Sequence, residues 1–333
     1  MALPMAYIIG YATALVALLT LIRLYFKKYR NNKQFVLHFL GSLACAVFIF
    51  LFGGWAYLSM YLRWVFLVLY IAVFVFTVIK RSKAPKGKHG LGAWYYVFFR
   101  LLLTTAMVFL VMMYFNGSDH DSGAVSLRFP FREGKYYVMQ GGSNRVVNPA
   151  HRNYSLQKYG FAMDISKLYG TGNRAHGMMP LNVRDYAIYG DTVLSPCSGK
   201  AIMVVDTVHT NIPGHYNIVN VHGNHVIIQC NGYRVFMAHF IKNRIFVKEG
   251  QTIKAGQPIG LSGNSGFSAE PHLHINVLKD YYSDQADYAT EKAGEISSHK
   301  NHSYDDYRYT GTSSPFTFDG RFYVMNDIIE VKR

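Results

Sequence analysis

An N-terminal α-helical membrane domain of four transmembrane helices (1–117), followed by a C-terminal all-β domain built as an antiparallel sheet or β-sandwich (118–333), is the fold the sequence predicts. Three observations predict it. Four apolar runs precede residue 116, each near the length of about 20 residues that a helix needs to cross a bilayer. The first acidic side chain is Asp119, so no carboxylate interrupts those runs. Past Asn116, continuous apolarity gives way to short alternating runs separated by Gly, Asn and Pro, the pattern of strands and turns.

The helical runs are approximately 3–25, 35–53, 55–79 and 91–115. Any one alone could be a buried core helix; four in succession, joined by short turns or basic loops, point to a membrane domain. The first run lacks a basic leader and a small-residue cleavage site, and three more follow, which disfavours a removed signal peptide. Lys27, Lys28, Arg30 and Lys33 join the first two runs, and Lys80, Arg81, Lys83, Lys86 and Lys88 join the last two. The N-terminus and the Gly53-Gly54 turn carry almost no charge. Positive loops stay cytoplasmic, so both chain ends and the β-domain are expected outside, on a multi-pass protein of the cytoplasmic membrane.

The same distribution explains the net charge of +15. Twelve of the 34 Lys/Arg precede Asp119, leaving 22 against 19 Asp/Glu afterwards, so the β-domain is nearly balanced and a nucleic-acid partner is disfavoured. Two of the early charges lie within apolar runs. Arg63, near the outer end of the third, can snorkel. Arg100 falls near the middle of the fourth, with no carboxylate in the domain to pair with it. A lipid phosphate, a partner protein, backbone carbonyls, or a shifted helix that lets it reach water are all open. His38 reads as an interfacial residue and Cys45 as a small packing residue. Cys197 and Cys230 lie where a disulfide is permitted, but the sequence does not show that their backbones approach, and a bridge and two thiols both stay open.

Candidate strands in the β-domain are 136–140, 161–165, 200–206, 224–230, 233–239 and 272–278. Asn231-Gly232 between two of them is a two-residue hairpin signal. Glycines in 248–266 mark tight turns between very short strands, and 316–329 reads as a final strand pair. No helix is expected here. Residues 280–312 are polar, Tyr-rich and aperiodic, a long surface excursion in which His299 and His302 are solvated.

The chemistry concentrates in the strand "HLHINVL". Alternation turns His272 and His274 to one side, about 7 Å apart along the backbone. Two histidines on a strand need not be catalytic. A catalytic zinc, however, takes three ligands from His, Cys, Asp and Glu and keeps a fourth position for water. The β-domain also offers His239, ending a neighbouring strand, and Asp164 in "FAMDI".

The ordered blocks "YAIYGDTVLSPCSGKAIMVV", "GNHVII", "MAHF", "VKEGQTIKAGQPIGLSGNSG" and "EPHLHINV" resemble the lysostaphin-type (LytM-domain) zinc metallopeptidases. The similarity covers roughly 125–333 and none of the helical portion. It implies a β-sheet groove that binds Zn2+ and hydrolyses peptide bonds of bacterial cell-wall peptidoglycan. Carried over residue by residue, His274 and Asp164 match metal ligands, and His272 and His239 match catalytic histidines that position water, assist proton transfer and stabilise the oxyanion.

One departure stands out. The family writes its first two ligands as H-x-x-x-D, but the residue four before Asp164 is Gly160, which cannot ligate. A subgroup of similar proteins carries a histidine further upstream in an N-x-x-H-like stretch, and "VVNPAHRNY" makes His151 the candidate third ligand; a surface loop histidine is the alternative. His225 reads as a strand residue near the groove, and His209, His215 and His222 as exposed histidines of an inserted hairpin. Cys197 could supply a thiolate, but packing or a disulfide serves equally well. The glycines of "GLSGNSG" lack the strand-to-helix context of a phosphate cradle.

Two functions follow from the resemblance. One is a membrane-anchored zinc endopeptidase whose partners are peptidoglycan peptides and the lipid bilayer, with any regulatory membrane partner unknown. The other is a degenerate domain that keeps the fold as a tethered binding or regulatory module. Gly160 speaks for the second. The joint presence of Asp164, His239, His272 and His274 speaks for the first, since buried polar groups without partners are costly.

Overall fold

The computed structural model describes residues 2–29, 32–81, 93–119, 123–152, 160–279 and 311–332. The expectations for Arg30, for Lys83, Lys86 and Lys88, and for 280–310 with His299 and His302 lie outside the described residues. The chain forms two compact units, one of Leu3–Phe115 with Gly170–Met178 and the other of Met1–Ala2, Asn116–Tyr169 and Met179–Arg333.

The first unit is helical: α1 (Ala2–Phe26), α2 (Asn32–Phe52), α3 (Trp55–Leu58), α4 (Leu62–Arg81) and α5 (Ala93–Asn116). Four of these are long and apolar enough to cross a membrane, over Tyr7–Phe26, Asn32–Phe52, Leu62–Lys80 and Val97–Asn116. Large apolar side chains such as Ile8, Leu18, Val68, Ile71, Phe98 and Phe109 point outward, the surface a bilayer rather than water would cover. Between helices, the Phe39 and Phe74 rings stack at 4.2 Å.

The third apolar run is not one helix. It breaks at 59–61, where Ser59 is extended (φ −169°, ψ 133°). The hydroxyl of Ser59 donates to the Thr171 carbonyl at 2.7 Å and the Met60 N–H to the Gly172 carbonyl at 2.7 Å. Backbone groups freed by the break thus find partners about 110 residues along the chain, which no local pattern reveals. Arg174, from the same distant segment, lies fully buried with its guanidinium 4.0 Å from the Tyr57 ring. Arg100 is the eighth residue of α5.

The second unit is an antiparallel sheet with a small parallel appendage. Its strands are β1 (Val125–Leu127), β2 (Gly134–Gln140), β3 (Met163–Leu168), β4 (Thr192–Leu194), β5 (Gly199–Val205), β6 (Asn224–Cys230) and β7 (Tyr233–Ile245). They continue with β8 (Thr252–Ile253), β9 (Pro258–Ser262), β10 (Leu273–Lys279), β11 (Thr312–Ser313), β12 (Phe316–Phe318) and β13 (Ile328–Val331). The main sheet runs β13-β2-β3-β10-β7-β6-β5-β8, with β11 beside β10 and β9 joining β4 to β7. The β6–β7 hairpin turns at Asn231-Gly232, with Cys230 opposite Tyr233. Cys197 and Cys230 form a disulfide, their Cα atoms 6.4 Å apart.

Period-two alternation decides which face each residue takes. Met163, Ile165, Val235, Met237, Ile275 and Val277 enter one core with Phe129, Phe131, Phe316 and Phe318. The residues between them, Asp164, Phe236, Ala238 and His274, therefore share the opposite face.

Three expectations are corrected here. Residues 316–329 are not a strand pair: β12 runs parallel to β1, whereas β13 pairs with β2. A helical turn does exist in this unit, α6 (Pro149–Arg152), opened by a proline that suits a first helical position. Residues 207–223 are no hairpin. Their backbone bonds run to 264–269, through Asn211 to Asn264, Gly214 to Ala269 and Phe267 to Val221.

Candidate metal centre

Asp164 and His274 face each other across the β3–β10 ladder as direct register partners. Opposed residues on paired strands have Cβ atoms about 4.5–5.5 Å apart, so the sheet itself sets their approach. His274 Nδ1 lies 3.0 Å from Asp164 Oδ1. His151 reaches the same oxygen from α6, its Nε2 at 3.4 Å, and His272 Nε2 stands at 3.5 Å. One buried carboxylate oxygen is thus ringed by three imidazoles.

His151 is held there by Asn148. That side chain is fully buried; its Nδ2 donates to the Ala162 carbonyl at 2.9 Å and the Gly142 carbonyl at 3.3 Å, while its Oδ1 meets His151 Nδ1 at 2.8 Å. With Nδ1 so engaged, Nε2 is left for the centre. Gly160 lies in a turn ahead of β3, off the strand that carries Asp164.

His239 arrives differently. Asn224 pairs with Phe240 and His225 with Ala238, so His239 is the extra residue of a β-bulge, at φ +74°. A bulge re-aims a side chain that regular alternation would send elsewhere. The segment after β9 clamps it. Ser265 donates from its hydroxyl to the Phe240 carbonyl and accepts His239 Nδ1–H on its own carbonyl at 2.7 Å. Gly263 packs so closely that a Cβ there would meet Ile241 N at 2.6 Å and the His239 carbonyl at 2.9 Å. The glycines of "GLSGNSG" therefore hold a histidine in place. His272 is fixed in parallel: its Nδ1–H donates to the Glu270 carbonyl at 2.8 Å, with Ser268 Oγ at 3.1 Å. The His239 and His272 rings are 4.7 Å apart.

These surroundings split the protonation of the cluster. Burial drives the His239 imidazole well below its ordinary range, and the charges of His272 and His274 add to this. Burial likewise lowers His274. Burial opposes ionisation of Asp164 too, but His151 and His272 outweigh it and hold the carboxyl well below the usual range. Burial would lower His272 as well, yet Asp164 and the Glu270 carbonyl raise it. His239 and His272, side by side, are thus pushed in opposite directions.

Ligand atoms of His151, Asp164 and His274 all lie within 4.8 Å of one another. Tetrahedral zinc with bonds near 2.0–2.1 Å needs edges of about 3.3 Å, and two imidazoles with one carboxylate are donors such an ion takes. The residues fit a divalent metal after a small contraction. His239 and His272 stand alongside this set.

The remaining sequence candidates fall outside it. His225 is buried against Phe236, with its Nδ1 bonded to the Gly223 carbonyl at 2.7 Å. His222 is half-buried against the same ring rather than exposed, whereas His209 and His215 are exposed as expected. Cys197 is consumed by its disulfide. Sequence reasoning missed Asn148, Ser265 and Ser268. Only the first had a signal, an Asn-Pro step of the kind that opens a helical turn.

The description "Peptidase family M23" matches residues 184–287. These residues form a domain of peptidase family M23. The match takes in His239, His272 and His274 and leaves His151 and Asp164 upstream of it. Two curated proteins of Vibrio cholerae serotype O1 are similar to part of this chain. Peptidoglycan DD-endopeptidase ShyA is 29% identical over 148 residues, 44% of this chain and 31% of that protein. Peptidoglycan DD-endopeptidase ShyB is 30% identical over 155 residues, 45% and 32% respectively. The chain thus spans about a third of the length of the curated relatives it matches. A solved zinc-containing peptidase from Vibrio cholerae superposes at a TM-score of 0.28 with 25% identity, over 46% of this chain and 36% of that one.

Proposed function

We propose that the chain is a membrane-anchored zinc metalloendopeptidase that hydrolyses peptide bonds of bacterial cell-wall peptidoglycan. In this reading residues 1–117 anchor it in the cytoplasmic membrane, and both termini and the domain at 118–333 are extracytoplasmic. One observation carries the assignment: His151, Asp164 and His274 converge within 4.8 Å, with His239 and His272 at the rim. The relatives' names supply the substrate class.

His151, Asp164 and His274 are the proposed ligands. Bound zinc supplies an acidified water and a polarised scissile carbonyl. His239, with Nδ1 tied to the Ser265 carbonyl, would present Nε2 towards such a water as an acceptor for its proton. His272, its Nδ1–H held by the Glu270 carbonyl, would stand beside the oxygen on which negative charge develops as the amide becomes tetrahedral. Holding the two rings on separately anchored segments keeps both roles in place before substrate arrives.

The test is metal analysis and peptidoglycan digestion with the full chain in detergent. Stoichiometric zinc, lost together with hydrolysis in His274→Ala and Asp164→Ala, is the expected result. Folded wild-type protein that takes up no zinc would leave the tethered binding module instead.

A further inference from the structure

The helical unit contains a cavity of about 340 Å³ between α1, α2 and α5. Arg23 of α1 and Arg100 of α5 are among its lining residues. Hydroxyls of Thr20, Ser42 and Thr104 share the lining, and the remaining wall is apolar. His38 lines it as well; it is 1% exposed, its Nδ1 meets the Tyr29 hydroxyl at 3.0 Å, and its Nε2 has no hydrogen-bond partner among the described residues.

The three basic residues lie within about two helical turns of their helix ends. At 1.5 Å per residue, Arg23 is about 5 Å from the end of α1, His38 about 9 Å from the start of α2 and Arg100 about 10 Å from the start of α5. These ends are joined to the two basic loops, so the site lies just below one membrane face, where phospholipid phosphates sit. Gly41 makes the convergence sterically feasible. A Cβ there would meet Thr104 Oγ1 at 2.9 Å and approach Arg100 Nε to 3.8 Å, so α2 and α5 close up beside the guanidinium.

We propose that this cavity binds the phosphate of an anionic phospholipid. Arginine forks match phosphate oxygens, and the Ser42 hydroxyl and His38 Nε2, both buried without a hydrogen-bond partner among the described residues, add groups that can donate to phosphate. The net positive lining in a domain without a single carboxylate selects an anion. The apolar remainder of the wall, and the lipid-facing flanks of the same helices, favour a ligand with acyl chains over free phosphate.

The full chain in nonionic detergent tests this by native mass spectrometry and thermal melting. Phosphatidylglycerol is expected to give a one-to-one adduct about tenfold more abundant than phosphatidylcholine at equal concentration, and to raise Tm when phosphatidylcholine does not. Arg23→Gln with Arg100→Gln should abolish the preference, while Arg63→Gln on α4 keeps it. Equal occupancy by the two lipids, no rise in wild-type Tm, or an undiminished preference in the double variant would overturn the proposal. So would displacement by millimolar inorganic phosphate, which would mark a free-anion site. The wild-type measurements decide the matter even if the double variant fails to fold.

Discussion

Replacing Asn148 by alanine tests whether the third proposed ligand is positioned from outside the metal centre. Asn148 is fully buried and makes three side-chain hydrogen bonds, two to backbone carbonyls and one to His151. Removing it leaves the Gly142 and Ala162 carbonyls without that donor, at about 1–3 kcal/mol for a buried group left unsatisfied. For the two carbonyls together the global cost is therefore about 2–6 kcal/mol. Losing an outer partner of a ligating histidine typically weakens metal binding 10–100-fold, or about 1.4–2.7 kcal/mol. Zinc Kd, read by competition with a chromophoric chelator, should rise by that factor in Asn148→Ala, while melting shows the protein still folded. Asn148→Asp keeps an acceptor for His151 Nδ1–H and should recover most of the affinity but not the stability. In a His151→Ala background, Asn148→Ala should weaken zinc no further. Wild-type Kd in the single variant, or an additive loss in the double, would refute the positioning argument and His151 as ligand with it.

His239→Ala and His272→Gln should retain stoichiometric zinc and lose about 10²–10⁴-fold in kcat, measured on purified peptidoglycan; loss of zinc in either would make it a ligand instead. Gly263→Ala forces a methyl against Ile241 N and the His239 carbonyl, so hydrolysis should fall with zinc content unchanged; wild-type activity would show that the bulge needs no clamp. Paired Cys197→Ala and Cys230→Ala substitutions open a loop of 33 residues, with an expected stability loss of about 3–4 kcal/mol in chemical denaturation. An unchanged midpoint would show that the bridge contributes nothing.

The features legible in the sequence were those imposed by solvent and periodicity. Apolar runs are visible because a bilayer tolerates nothing else, and β6, β7 and β10 because alternation fits a sheet with two different faces. What escaped notice depends on partners distant along the chain. The break at Ser59 is satisfied by Thr171 and Gly172, and residues 207–223 bond to 264–269 rather than forming a hairpin ladder of their own. Four-residue α6 is too short to have a period, so His151 could be proposed only through the family resemblance. His239 was recognised by type and neighbourhood. Its bulge was invisible, because a register shift belongs to two strands at once.

A sheet is a lattice, and the Asp164–His274 pairing takes its spacing from that lattice. No connecting segment has to be tuned to keep those two groups at working distance. His151 comes instead on a one-turn clip fastened by a single asparagine. Such a clip is replaceable: any stretch of backbone that can bring an imidazole to the same corner would complete the triad without disturbing a strand. On the proposed ligand set, a glycine at position 160 would mark a third donor recruited from another address rather than decay.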